Sequence, residues 1–165
     1  MKAIVAVDEK WGIGKNNDLL FSIPEDMKFF RQTTLNKTVV MGRKTLQSFP
    51  NGNPLKNRNN IVLSRNYEKD GATVVKDLLE LKAELLKYDK DDIFVIGGAS
   101  IYELLLPYCE SVLVTKVYAD GNATAFFPNL DQIDGWEMVK ESQIIETNGY
   151  KIKFTEYKNQ RANSL

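Results

Sequence analysis

TVVMGRKTLQ, residues Thr38 to Gln47, sets the reading of the chain. Val39-Val40-Met41 is a short apolar run of the kind a buried strand needs. Gly42 follows, and there the backbone can turn at little steric cost. Arg43, Lys44 and Thr45 then fall in the first turn of an expected helix. Helix N-termini carry unpaired N–H groups and partial positive charge, so two cations and a hydroxyl at that point make a phosphate seat. An ordinary strand-to-helix turn with solvated charges fits the same residues.

The strand–turn–helix pattern repeats on both sides of this stretch. Strands are expected at Ala3–Val7, Lys37–Met41, Asn60–Leu63, Ala72–Val75, Ile93–Ile96, Val112–Val117, Trp136–Ile145 and Tyr150–Tyr157. Helices are expected at Glu25–Thr34 after Pro24, at Asp77–Tyr88 with Asp77 as N-cap, and at Ser100–Leu106 before Pro107. Strands alternating with helices imply an α/β fold: a mainly parallel, mixed sheet flanked by helices. Asn148-Gly149 signals a two-residue hairpin that closes it with antiparallel strands. One domain, residues 1–160, is expected, followed by a flexible tail at 161–165.

The 165 residues include 22 basic and 22 acidic side chains. This balance gives no reason to expect nucleic acid or an anionic membrane as partner. No apolar run reaches the length of a membrane span, and Met1–Asp8 reads as a strand rather than a signal peptide. The single cysteine, Cys109, cannot form an intramolecular disulfide, which fits a reducing, cytoplasmic setting. The chain contains no histidine. That removes the commonest metal ligand, the commonest acid–base group and every Ser-His or Cys-His nucleophile pair, so no metal site is expected. Carboxylate, tyrosine, lysine or a bound cofactor remains for catalysis.

Asp26 opens the first helix and shares a face with Phe30, with Met27 beside them. It serves either as a favourable charge at the helix start or as a lone carboxylate in an apolar pocket that grips an amidine-like heterocycle. Gly97-Gly98 lies between a strand and a helix, where a backbone can approach a ligand or simply pack tightly. Gly12-Ile13-Gly14 is a poor dinucleotide fingerprint because no third glycine follows at the right spacing. Gly12–Ser22 reads instead as a flexible loop over the site. Arg65 ends the strand NIVLS as Arg43 ends its own, and two such arginines can share one phosphate.

Five segments carry a resemblance: IVAVDEKWGIGKNNDLLFSIPEDMKFF near the N-terminus, TVVMGRKTLQ, NIVLSR, FVIGGASIYE and a late AFFP. In this order and spacing the chain resembles the dihydrofolate reductases of the bacterial chromosomal type, from about Lys2 to about Tyr157. The resemblance implies NADPH-dependent reduction of 7,8-dihydrofolate to tetrahydrofolate, antifolate inhibitors as further ligands, and a monomer. It implies a catalytic role for Asp26, which binds the pterin and assists its protonation, supported by Phe21 and Thr115. It implies that Arg43, Thr45, Ser64 and Arg65 form the NADP phosphate shell, with Gly42, Lys44 and Leu63 beside them. Ala6, Ile13, Gly14, Ile96, Gly97, Gly98, Ala99, Ser100, Ile101 and Tyr102 complete the implied cofactor site, with a cis peptide at the glycine pair. The implied substrate site takes Ile4, Val5, Ala6, Leu19, Asp26, Met27, Phe30, Phe49, Leu55, Ile96 and Thr115. Arg58 is implied to bind the substrate's glutamate carboxylate.

Three positions depart from the family pattern. Leu20-Phe21 replaces the usual Pro-Trp, Thr124 stands where many members carry aspartate, and Lys44 replaces a histidine found in some. Loss of the indole N–H and of a carboxylate is expected to loosen closure of the loop. A reductase of the riboflavin-pathway type and a non-catalytic NADP- or folate-binding protein are the alternatives.

Overall fold

The computed structural model describes residues 1–165. In chain order its elements are β1 (Lys2–Val7), β2 (Gly12–Lys15), β3 (Asp18–Leu19), α1 (Pro24–Thr34), β4 (Thr38–Gly42), α2 (Arg43–Ser48), β5 (Asn59–Leu63) and β6 (Ala72–Val75). They continue with α3 (Leu78–Leu85), β7 (Ile93–Gly97), α4 (Ala99–Leu105), β8 (Ser111–Val117), β9 (Ala125–Phe126), β10 (Trp136–Glu141), β11 (Ile145–Thr147) and β12 (Tyr150–Asn159).

The main sheet runs β10-β12-β8-β1-β7-β4-β5-β6, with β11 on β12. The contacts β8-β1-β7-β4-β5-β6 are all parallel; β12 pairs antiparallel with β8, β10 and β11. The expected mixed sheet with its closing antiparallel strands is therefore present. Asn148 and Gly149, both at positive φ, 52° and 84°, make the hairpin turn between β11 and β12.

Period-two alternation explains why these runs are apolar throughout. On β4, Val40 points into the larger core with Ala3, Val5, Val95, Leu81 and Leu105. Val39 and Met41 point the other way, onto Leu46 of α2 and Val62. Helices α3 and α4 thus cover one face, and α2 covers the other. A third cluster, Ile23, Val117 and Ile152, seats the start of α1 against β8 and β12. Pro24 supplies the fixed φ of the first helical turn in α1.

Three expectations need correction. Trp136–Ile145 is two strands rather than one: after Glu141 the chain leaves the ladder, and the Ser142 hydroxyl and amide both bond to Phe154 of β12. The helix expected to Tyr88 ends at Leu85. Gly12–Ser22 is largely ordered: β2 pairs with β3 and, across the chain, with β9 in a separate three-stranded sheet. Asn16 and Asn17, both at positive φ, turn the local β2–β3 hairpin, and the pairing with Ala125–Phe126 adds a third strand that no local pattern encodes. In the C-terminal stretch, Asn163 N–H donates to the Pro107 carbonyl at 2.9 Å and Leu165 packs against the larger core.

Candidate active site

Strand register builds one end of the site. Gly42 on β4 lies opposite Leu63 on β5, and Met41 opposite Gly97 on β7. Three parallel strands therefore end side by side, and Arg43, Ser64-Arg65 and Gly98 leave the sheet at one rim. Arg43, Lys44 and Arg65 are exposed, and none takes part in the chain's seven ion pairs. A cavity of about 300 Å³ beside them is lined by Ser64, Arg65, Tyr67, Lys69 and Lys76 among others. None of the residues around Asp26 reaches it.

The rim backbone is tightly fitted. A Cβ on Gly42 would lie 3.0 Å from Ile101 Cγ1. On Gly97 or Gly98 it would lie 3.4 Å from the Thr45 hydroxyl. The Gly97-Gly98 peptide is cis, and Gly97 has φ 126°. Only glycine suits that φ.

The other end of the site lies on the α1 face. Ala3 and Val5 of β1 enter the larger core, so alternation turns Ile4 and Ala6 to the opposite face. Ala6 stands opposite Thr115 of β8 in register, and Ile96 packs with Phe49 and Leu55 on this same face. Helix α1 lies over it, with Phe29 tilted on Phe154 at 4.7 Å and Phe30 half-buried. Asp26 is partly buried here. Loss of solvent raises its pKa above the ordinary carboxylate value, and the Thr115 hydroxyl pulls the other way. The structure therefore brings Asp26, Thr115, Ala6, Ile96, Phe30, Phe49 and Leu55 to one face.

Some expected members of the substrate wall stand elsewhere. The Val5 side chain lies in the core on the opposite face of the sheet, 8% exposed, because β1 alternates. Leu19 is 79% exposed on β3; Leu20, one residue on, turns inward. Met27 is 45% exposed, and its sulfur accepts the Ser22 hydroxyl at 3.7 Å. Phe21 meets Tyr150 edge-on at 5.0 Å.

Arg58 is already engaged within the chain. Its guanidinium donates to the Lys56 and Arg31 carbonyls at 2.7 and 3.0 Å and to the Thr34 hydroxyl at 3.2 Å. It thereby ties the end of α1 to the loop before β5, adding a second donor to the Arg31 carbonyl that already accepts the Leu35 N–H. Burial and the neighbouring Arg31 cation both lower its pKa. Arg31 stands in the last turn of α1, three residues before Thr34.

Tyr102 of α4 is fully enclosed, and its hydroxyl donates to the Ile4 carbonyl at 2.6 Å. Burial and the field of Asp26 push its pKa far up, so it stays protonated and keeps donating. Tyr102→Phe would leave the Ile4 carbonyl without this partner. Chemical denaturation should show a loss of about 1–3 kcal/mol, and an unchanged midpoint would remove the bond from the account. Cys109 is buried with its thiol pushed up to about 12, so it supplies no thiolate.

The β2–β3 segment and Leu20 have long-range partners in the stretch from Gly121 to Phe126. Leu20 wraps over Gly121, where an added Cβ would come within 3.0–3.2 Å of three Leu20 carbons. The Thr124 hydroxyl accepts the Asn16 N–H at 3.2 Å, and Thr124 N–H donates to the Gly14 carbonyl at 2.9 Å. These contacts tie the segment to Gly121 and to Thr124 just before β9, without an indole N–H at 21 or a carboxylate at 124. Leu20→Pro with Phe21→Trp removes the Gly121 contact, and the double variant should show a single-turnover hydride step no faster than the unaltered chain. A clear acceleration would mean the Leu20 and Phe21 contacts do not serve closure.

An α/β sheet with exposed cations at its strand ends and a partly buried carboxylate on its α1 face is the frame of an α/β protein able to take an anionic ligand at that rim. A family model described as dihydrofolate reductase matches residues 1–159. Curated relatives with that name include one from Bacillus subtilis, 36% identical over 161 residues, covering 93% of this chain and 91% of that one. Another, from Haemophilus influenzae, is 35% identical over 153 residues, covering 92% and 93%. Among solved structures, the dihydrofolate reductase of Enterococcus faecalis complexed with NADP(H) and RAB-propyl superposes with a TM-score of 0.84 at 33% identity, covering 96% of this chain and 95% of that one. The chain belongs to the dihydrofolate reductase family.

Proposed function

We propose that the two ends of this site divide one reaction between them: the strand-end cations hold NADPH, and Asp26 holds the pterin of 7,8-dihydrofolate. The chain is an NADPH-dependent oxidoreductase that reduces dihydrofolate to tetrahydrofolate. The observation that carries the residue assignment is Asp26, a carboxyl with raised pKa on an apolar face, supported by the Thr115 hydroxyl.

The rim fits a phosphorylated dinucleotide. Arg43, Lys44 and Arg65 are cations without an internal carboxylate, and Thr45 and Ser64 add hydroxyls. The glycines at 42, 97 and 98 let the rim backbone pack closely on Ile101, Thr45 and Tyr102. A dinucleotide that lacks the extra phosphate would leave these arginines unpaired, which favours NADP over NAD. When bound, NADPH supplies the hydride.

This chain's residues do the rest. The Asp26 carboxylate presents two acceptor oxygens to the amidine-like edge of the pterin, and charge-assisted hydrogen bonds fix its orientation. With no histidine in the chain, the raised pKa of Asp26 makes it the group that favours the protonated pterin. Thr115 holds the carboxylate; Ala6, Ile96, Phe30, Phe49 and Leu55 exclude water and strengthen those bonds. Arg58 has guanidinium N–H capacity beyond its internal bonds, and with Arg31 beside it favours a carboxylate on the substrate's tail. Ile13, Gly14 and the β2–β3 hairpin cover the site.

Antifolates with an amidine-like ring should compete through Asp26. A monomer in the cytoplasm fits the even charge and the single buried cysteine; sedimentation tests the first point. The decisive assay is dihydrofolate-dependent oxidation of NADPH, followed by absorbance. Tight binding of both ligands without turnover would leave only the binding-protein alternative.

A further inference from the structure

Asp8 follows β1 and has no place in the chemistry above, yet it is only 3% exposed and accepts three backbone N–H groups. Its Oδ1 accepts the N–H of Lys10 at 2.9 Å and of Gly12 at 2.7 Å. Its Oδ2 accepts the N–H of Gly121 at 3.0 Å, from a loop 113 residues away. One oxygen therefore shapes the turn that launches the β2–β3 hairpin, while the other reaches the segment on which that hairpin rests.

The surroundings are tightly fitted to this bridge. A Cβ on Gly12 would fall 2.3 Å from Ala123 Cβ and 2.9 Å from Asp8 Oδ1, so only glycine brings its amide to the carboxylate. Trp11 sits at φ 63°, a costly backbone for a bulky residue, and it is held there by stacking on Phe127 and by the Phe127 N–H donated to its carbonyl at 2.8 Å. Lys10 and Asp120 form a 2.8 Å ion pair outside the same junction. Glu9 N–H donates to the Ala119 carbonyl at 3.1 Å. Leu20, at the far end of the hairpin, covers the same Gly121 whose amide Asp8 holds.

We infer that Asp8 is a positioning residue for the reductase reaction: its carboxylate latches the Gly121 loop to the base of the β2–β3 hairpin and so sets where the hairpin stands over the site. A buried carboxylate that accepts three amide protons makes shorter and stronger bonds than a neutral acceptor, and losing one strands a buried donor. Because the two oxygens face different segments, the latch can be separated from the turn. The inference rests on the reading that the hairpin covers the site.

Asp8→Asn isolates the latch. The amide oxygen can keep the bonds from Lys10 and Gly12, but an NH₂ now faces the Gly121 N–H, donor against donor. Asp8→Ala removes both functions and serves as the comparison. Two readouts are followed in the full chain: single-turnover hydride transfer with saturating NADPH and dihydrofolate, and tryptic cleavage after Lys15. For Asp8→Asn we expect a hydride step slower by about tenfold or more, faster cleavage at Lys15, NADPH affinity within about threefold of the unaltered protein, and stability nearer to the unaltered protein than Asp8→Ala. Unchanged cleavage and unchanged hydride transfer would overturn the latch. Faster cleavage with unchanged hydride transfer would instead overturn the reading of the hairpin as a cover. A hydride loss matched by equal loss of folded protein would reduce Asp8 to a structural residue. Should Asp8→Asn not fold, amide exchange of the unaltered protein decides: a Gly121 amide that exchanges as fast as an exposed loop amide overturns the proposal, and protection shared with Gly12 supports it.

Discussion

Asp26→Asn should lower turnover near neutral pH by about 10²–10⁴, the range for loss of an acid–base group. The amide keeps the size of the side chain but can offer only one acceptor to the amidine-like edge, and it cannot favour a protonated ring. The proton must then come from solvent, so the deficit should narrow as the pH falls. Folding should survive, and the stability effect has a definite sign. Burial raises the Asp26 pKa in the folded chain above its unfolded value, so the native state binds the proton more tightly. The stability contribution of this group is complete in acid, below the ordinary carboxylate range, and is lost as pH rises through the raised native value. Asn carries no such penalty. The variant should therefore equal or exceed the original in urea resistance near neutrality and lose that advantage in acid. A fully active Asn variant would show that another group holds the pterin.

Replacing Arg43 and Arg65 together with alanine should weaken NADPH binding by about 10²-fold or more, since each hydrogen bond to a charged phosphate contributes about 1.5–3 kcal/mol before screening. Both side chains are exposed and leave adjacent strand ends, so their removal opens no cavity and Tm should barely move. The selectivity is the informative part. NADH lacks the extra phosphate, so its affinity should fall far less, and the NADPH preference should shrink as salt rises. Equal losses for the two cofactors, measured by titration, would mean these arginines read the shared pyrophosphate instead.

How far the sequence reaches can be judged element by element. The β4 run Val39-Val40-Met41, apolar on both faces, marks a parallel strand covered on both sides, and Asn148-Gly149 marks the hairpin; both stand where expected. The absence of histidine excludes whole classes of chemistry without any coordinates. Asp26, Arg43 and Arg65 could be singled out because carboxylate against apolar residues, or arginine after a strand end, is a local pattern with a physical meaning.

What stayed hidden depends on pairs far apart in the chain. From its own sequence, Gly12–Ser22 looks like a bare loop, because its two-strand hairpin is short and its third strand, β9, comes more than a hundred residues later. Arg58 looks free, although α1 engages it through Thr34 and the Arg31 carbonyl. The resemblance puts Val5 in the substrate site, and the register of β1 turns its side chain to the other face. The Asp8 bonds to Lys10 and Gly12 follow a local turn pattern that sequence can suggest. Its bond to Gly121 does not, since hydrogen bonds between distant loops leave no period and no spacing to read. Composition and short-range periodicity therefore determined the class of fold and the excluded chemistries, and the family resemblance chose between the two roles they left open for Asp26. Tertiary structure alone decided which candidates share a face, which are already bound within the chain, and what holds the cover in place, because burial and register are properties of the whole sheet.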